Sequence, residues 1–114
     1  IKTALNTSEI GQVIKNFAGS VGSYDTAYVI PFPHWVDTRL VGINAGLPEK
    51  DFALWVDQIP ETRNQLGSKL FILKPEDTNA LTTLQSAYQN GYFWNYDSKI
   101  SGKDFLIYFI PAIP

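Results

Sequence analysis

Thr26-Ala-Tyr-Val-Ile-Pro-Phe-Pro-His-Trp-Val-Asp-Thr-Arg-Leu-Val-Gly-Ile-Asn-Ala-Gly46 is the stretch whose reading decides the fold. Residues 27–32 are almost all apolar, with β-branched Val29 and Ile30, as in a strand covered on both faces within a parallel sheet. Pro31 and Pro33 cannot sit inside a central ladder, so the strand ends there. A helix is expected over 35–44, with Val36, Leu40 and Ile43 on its inner face and Gly46 just past its end. Between strand and helix lies a turn presenting His34, Trp35, Asp37 and Arg39. Turns of this kind, beyond the carboxyl ends of strands, are where α/β proteins build ligand sites.

Upstream, Asn6-Thr-Ser-Glu9 has the form of a capping box, with Leu5 and Ile10 as its hydrophobic staple. Ile10, Val13, Ile14, Phe17 and Val21 then recur at helical spacing as one apolar stripe. Gly19, Ser20, Gly22 and Ser23 close that helix. Downstream, residues 52–56 read as a short strand, 59–66 as a turn of helix or a loop, and 70–73 as another all-apolar strand. Lys74-Pro-Glu-Asp77 opens a helix, with Pro75 in its first turn and Glu76 and Asp77 at its positive end. Leu81, Leu84 and Tyr88 line its inner face beside Ala80 and Ala87, and Asn90-Gly91 ends it. Residues 92–96 and 105–110 form an antiparallel hairpin across a polar connection. This order predicts one α/β domain over residues 1–114. Its sheet is expected to be largely parallel, with about five strands flanked by helices and a C-terminal antiparallel hairpin.

The chain of 114 residues is long enough to bury a core, and its net charge is −2. An acidic balance leaves nothing to neutralise a phosphate backbone, which excludes nucleic acid as a partner, and it disfavours docking on anionic lipid by charge alone. Without cysteine there is no disulfide framework, thiolate metal site or thiol nucleophile. The chain contains no methionine and opens on Ile1, so it is expected to be a domain excised from a longer protein. No apolar run approaches the ~20 residues that a bilayer-spanning helix needs.

No catalytic signature is present. His34 is the only histidine, which excludes a metal site of paired histidines. There is no G-x-S-x-G elbow, no phosphate loop and no G-x-G-x-x-G. Two readings of the turn stay open. In one, His34 binds a ligand or moves a proton, Asp37 accepts hydrogen bonds from a sugar, and Arg39 grips a carboxylate or phosphate. In the other, Asp37 caps the helix and pairs with Arg39, Trp35 packs, and His34 is solvated. Tyr88, Tyr92, Phe93, Trp94, Tyr96, Phe105, Tyr108 and Phe109 likewise serve either as sugar-stacking faces or as core and cross-strand packing. An exposed subset would instead meet a partner domain or a membrane interface. Asp51, Asp57 and Glu61 lack calcium-loop spacing and read as a solvated face. Asn6-Thr-Ser8 matches a glycosylation acceptor, a reading that is discounted.

Pro33-His-Trp-Val-Asp-Thr-Arg-Leu-Val-Gly-Ile-Asn-Ala-Gly46 resembles the C-terminal soluble region of bacterial multi-pass glycosyltransferases of the family-39 type. These are similar to protein O-mannosyltransferases and aminoarabinose transferases. Lys69-Leu-Phe-Ile-Leu-Lys-Pro-Glu-Asp77, the segment 81–88 and Ser98-Lys-Ile-Ser-Gly-Lys-Asp-Phe105 look like the same region. In that family the donor is a polyprenyl-phosphate sugar, and the catalytic acids lie in loops of the membrane part, so no catalytic residue carries over. The resemblance implies an extracytoplasmic accessory domain with no cofactor. Its partners would be the transmembrane part of the same polypeptide and a lipid-linked sugar or acceptor.

Overall fold

The computed structural model describes residues 2–33, 35–100 and 102–112, with side chains described from Thr7 onward. His34 therefore lies outside the described residues. Helix α1 runs Lys2–Ser20, strand β1 Ala27–Val29, helix α2 Thr38–Asn44, a 3-10 helix Val56–Asn64, and strand β2 Lys69–Leu73. Helix α3 spans Thr78–Ala87, and β3 (Tyr92–Tyr96) and β4 (Phe105–Ile110) close the fold.

The four strands form one sheet in the order β1-β2-β4-β3. β1 pairs parallel to β2 with Val29 opposite Ile72, whereas β4 runs antiparallel to both β2 and β3. The sheet is thus mixed, which corrects the expectation of about five largely parallel strands. The expected strand at 52–56 is reduced to one parallel bridge, Val29 to Ala53. It is held by the Val29 N–H donating to the Phe52 carbonyl (2.9 Å) and the Leu54 N–H donating to the Val29 carbonyl (3.0 Å). The bridge goes no further because the chain turns at Trp55 into the 3-10 helix.

Both faces of the sheet are covered, which makes a three-layer α/β/α sandwich. On one face Ile10, Ile14 and Phe17 of α1 and Val41 and Ala45 of α2 pack on Val29, Leu70, Ile72, Phe105 and Ile107. On the other, Ile59 of the 3-10 helix and Ala80, Leu84 and Tyr88 at α3 pack on Phe71, Leu73, Tyr108 and Ile110. Every residue of β2 is buried, as expected for the strand sandwiched between both layers. Each such large apolar side chain contributes about 1.5–3 kcal/mol through burial.

Several boundaries differ from the sequence reading. α1 begins at Lys2, so Asn6 lies inside the helix rather than at its cap, and the expected staple through Leu5 falls on side chains outside the description. Glu9 does not close a capping box; its carboxylate accepts hydrogen bonds from the Ser98 hydroxyl and from the Lys99 N–H (3.0 Å). Val21 lies beyond the helix and is exposed. α2 starts three residues later than expected, because Asp37 caps it by accepting from the Arg39 N–H at 2.9 Å. Its buried side is then Val41, Gly42 and Ala45, with Ile43 exposed. That side is set by close approach: a Cβ at Gly42 would lie 2.1 Å from the Lys50 carbonyl oxygen, and one at Gly11 of α1 would lie 2.6 Å from the Asn44 Cβ. Gly46 follows α2 at φ +90°, as its position predicts.

The segment 59–66 belongs to a nine-residue 3-10 helix with Pro60 inside it. Runs of this length are uncommon. Here the Thr62 hydroxyl donates to the Ile59 carbonyl at 2.7 Å and meets the Tyr88 hydroxyl at 2.5 Å in the buried layer. Because the Thr62 proton points at Ile59, the Tyr88 hydroxyl is the donor of the second bond. α3 starts at Thr78 rather than at Pro75, since Asp77 is its cap and accepts from the Ala80 N–H at 3.1 Å. Pro75 sits in the turn before it.

Candidate recognition site at the carboxyl ends of the parallel strands

Beyond Val29 the Ile30 N–H still donates to the Ile72 carbonyl at 2.8 Å. Pro31 and Pro33 then lack an N–H to continue the ladder, and the chain leaves the sheet. Beside this exit, the bridge at Ala53 delivers Trp55 to the same end of the sheet. The Trp55 N–H donates to the Gln58 side chain at 2.9 Å, which fixes the start of the 3-10 helix, and Trp55 is 59% exposed. Lys74, one residue past β2, places its ammonium 5.0 Å from the centroid of the Phe32 ring.

Pro31, Phe32, Pro33 and Trp55 line a cleft of about 290 Å3. Its walls are flat apolar faces, two pyrrolidine rings and two aromatic rings, with the Lys74 ammonium over Phe32. Small-molecule sites have this general make-up, mostly apolar walls with few polar groups. A pyranose ring presents C–H groups on one face and hydroxyls at its edge. Such a ring suits an exposed indole with a cation nearby.

The residues singled out from the sequence distribute differently. Trp35 is half-buried and packs against the core cluster under α1 and α2. Asp37 caps α2, and its carboxylate lies 3.6 Å from the Arg39 guanidinium, with side chains 42% and 79% exposed respectively. Among the described residues none of Trp35, Asp37 and Arg39 lines the cleft, and His34 lies outside the description. The turn thus borders the cleft through Pro31, Phe32 and Pro33. Trp55 and Lys74 escaped the sequence reading because their place depends on which strands are neighbours.

The aromatic residues divide between the two readings. Tyr88, Phe105 and Tyr108 are buried. Phe17 meets Phe109 edge-on at 6.2 Å, and Tyr96 stacks on Phe105 at 4.5 Å. Tyr92, Phe93 and Trp94 are exposed on β3, which among the described residues pairs with β4 alone. Among the described residues no three His, Cys, Asp or Glu side chains cluster as a metal site would require, and no helix is long and apolar enough to cross a membrane.

No family model matches the chain, and neither a curated protein nor a solved structure matches it significantly.

Proposed function

We propose that this chain is a non-catalytic recognition domain of a membrane glycosyltransferase, working outside the cytoplasmic membrane and holding the sugar part of an acceptor or lipid-linked donor in the cleft at Trp55. The reading of the parent enzyme rests on the resemblance carried by 33–46, 69–77 and 98–105. The reading of the site rests on one observation. Trp55, 59% exposed, stands in an apolar cleft beside Pro31 and Pro33, at the end of the sheet where α/β domains bind ligands. An exposed tryptophan gains little from folding in that position but offers a large rigid face to a ligand.

The test has two arms. Purified protein is titrated with mannose, glucose and their oligosaccharides while Trp55 indole resonances are followed, and the same protein is assayed for sugar transfer from a polyprenyl-phosphate donor. Saturable change at Trp55 without transfer supports the proposal. Transfer by the isolated domain, or no sugar response at Trp55, removes it.

A second reading rests on a different observation. Tyr92, Phe93 and Trp94 form an exposed aromatic edge on β3, in keeping with an interaction module whose partner covers that strand. Loss of association with the transmembrane part in Trp94→Ser, with Trp55→Ala unaffected, would favour it.

A further inference from the structure

At the opposite end of the sheet, around the start of β2, lies a second pocket of about 270 Å3. Its lining includes Arg63, Gln65, Lys69, Tyr88 and Asn90, and contains no aspartate or glutamate. Lys69 is the first residue of β2 and is only 5% exposed. Its ammonium lies 5.6 Å from the centroid of the Tyr88 ring and donates a long hydrogen bond, 3.4 Å, to the Gly67 carbonyl. Among the described residues, neither Lys69 nor Arg63 forms an ion pair. Buried lysines are rare without a partner, because the charge loses its water.

The end of α3 does not supply the missing partner. The Tyr88 carbonyl there accepts from the Tyr108 hydroxyl at 2.7 Å and from the Gly91 N–H at 3.2 Å. Burial pushes the Lys69 ammonium below its ordinary pKa, with no acid opposing the shift. Burial holds the Tyr88 hydroxyl above its ordinary pKa, against the Thr62 hydrogen bond and the Arg63 charge, and Arg63 lines the same pocket. In a chain of net charge −2, an acid-free pocket holding two cations is a local reversal of the overall balance.

We propose that this pocket binds a phosphate group carried on a small organic moiety. Arg63 provides the planar fork and Lys69 the point charge, the pairing that suits a dianion better than a single carboxylate. Asn90 contributes a polar hydrogen-bonding side chain, and the Tyr88 ring forms part of the wall. The pocket is near the lower end of the ~300–1,000 Å3 range of small-ligand sites, so it holds more than the phosphate itself. The chemistry is common to a soluble phosphomonoester and to a lipid phosphate headgroup. The site is independent of the Trp55 cleft, because the two lie at opposite ends of the parallel strands.

The test is an amide-resolved NMR titration of the whole chain with glycerol 3-phosphate, with acetate as the carboxylate control. It is accompanied by sedimentation with phosphatidylcholine vesicles with and without phosphatidic acid. The expected result is a saturable shift of the Gly67, Lys69 and Tyr88 amides by glycerol 3-phosphate, or sedimentation that requires phosphatidic acid. In either arm Arg63→Gln weakens the response at least about tenfold, the size expected for losing one charge-assisted contact. The first arm assigns a soluble ligand and the second a lipid headgroup. The Arg63 side chain is exposed and makes no described hydrogen bond or ion pair, so Arg63→Gln keeps the fold even where Lys69→Met does not. Shifts scattered over surface lysines, acetate binding as tightly as phosphate, or an unchanged response in Arg63→Gln would overturn the proposal.

Discussion

The Glu9 carboxylate on α1 accepts a hydrogen bond from the Lys99 backbone N–H at 3.0 Å, joining the first helix to the β3–β4 connection across ninety positions of chain. The same carboxylate accepts from the Ser98 hydroxyl, whose oxygen in turn accepts from the Ile100 N–H at 3.0 Å. The connection between the last two strands is thus tied to a helix of another layer. Glu9→Ala is expected to lower stability by about 1–3 kcal/mol, since hydrogen bonds to a charged group exceed neutral ones. Glu9→Gln should recover part of the loss. Urea unfolding measures the change, and faster amide exchange at Lys99 would localise it.

Two glycines in helices should respond in opposite directions. Gly42→Ala puts a Cβ 2.1 Å from the backbone oxygen of Lys50, which cannot move aside cheaply, so a loss of about 1–3 kcal/mol is expected. Gly19 in α1 has nothing within 4 Å of an added Cβ. Gly19→Ala should therefore gain about 0.5–1 kcal/mol from reduced backbone entropy in the unfolded chain. Thermal unfolding of the two variants side by side checks both signs.

Asp104 supplies a pH dependence. Its carboxylate accepts from the Asn95 amide at 3.0 Å and from the Ser98 N–H at 2.8 Å, and these bonds hold it below the ordinary aspartate range. A folded-state pKa lower than the unfolded one stabilises the fold above the unfolded value of about 3.9. That contribution disappears as the pH falls through the folded value. Denaturant midpoints taken between about pH 6 and about pH 2.5 should decline more steeply below about pH 4 in the parent than in Asp104→Asn.

Asp37→Ala separates capping from binding. The carboxylate accepts from the Arg39 N–H at the start of α2, so its removal should cost about 0.5–2 kcal/mol. Sugar affinity at the cleft should be unchanged, because Asp37 does not line it. A calorimetric titration showing tenfold weaker binding at unaltered stability would instead place Asp37 in the site.

The parts of the fold legible in the sequence were those where one local signal sufficed. Residues 70–73 are apolar on both faces and became the central strand. Gly46 ends α2 by the chemistry of capping, although its start after Asp37 lay inside the expected helix 35–44, and the hairpin 92–96 with 105–110 followed from β-rich segments around a polar link. What failed needed partners. Residues 52–56 carry the pattern of a strand, yet the turn at Trp55 leaves a single bridge. The Tyr92, Trp94 and Tyr96 alternation cannot reveal that β3 is an edge, because its other side also carries Phe93. The cleft lies at the exit from β1, beside the turn that the sequence singled out, but among the described residues none of Trp35, Asp37 and Arg39 lines it. Trp55 reaches the cleft, and Lys74 the Phe32 ring, through the order of strands, and Arg63 and Lys69 line one pocket at the far end for the same reason.

The central claim is that the cleft at Trp55 recognises a sugar. Its most direct test follows the Trp55 indole N–H in an NMR titration with mannose oligosaccharides, on the parent protein and on Trp55→Ala. The account predicts a saturable shift of the indole and of the Phe32 and Leu54 amides, with binding lost and stability kept in Trp55→Ala. Undiminished binding in Trp55→Ala, or shifts confined to β3, would contradict it.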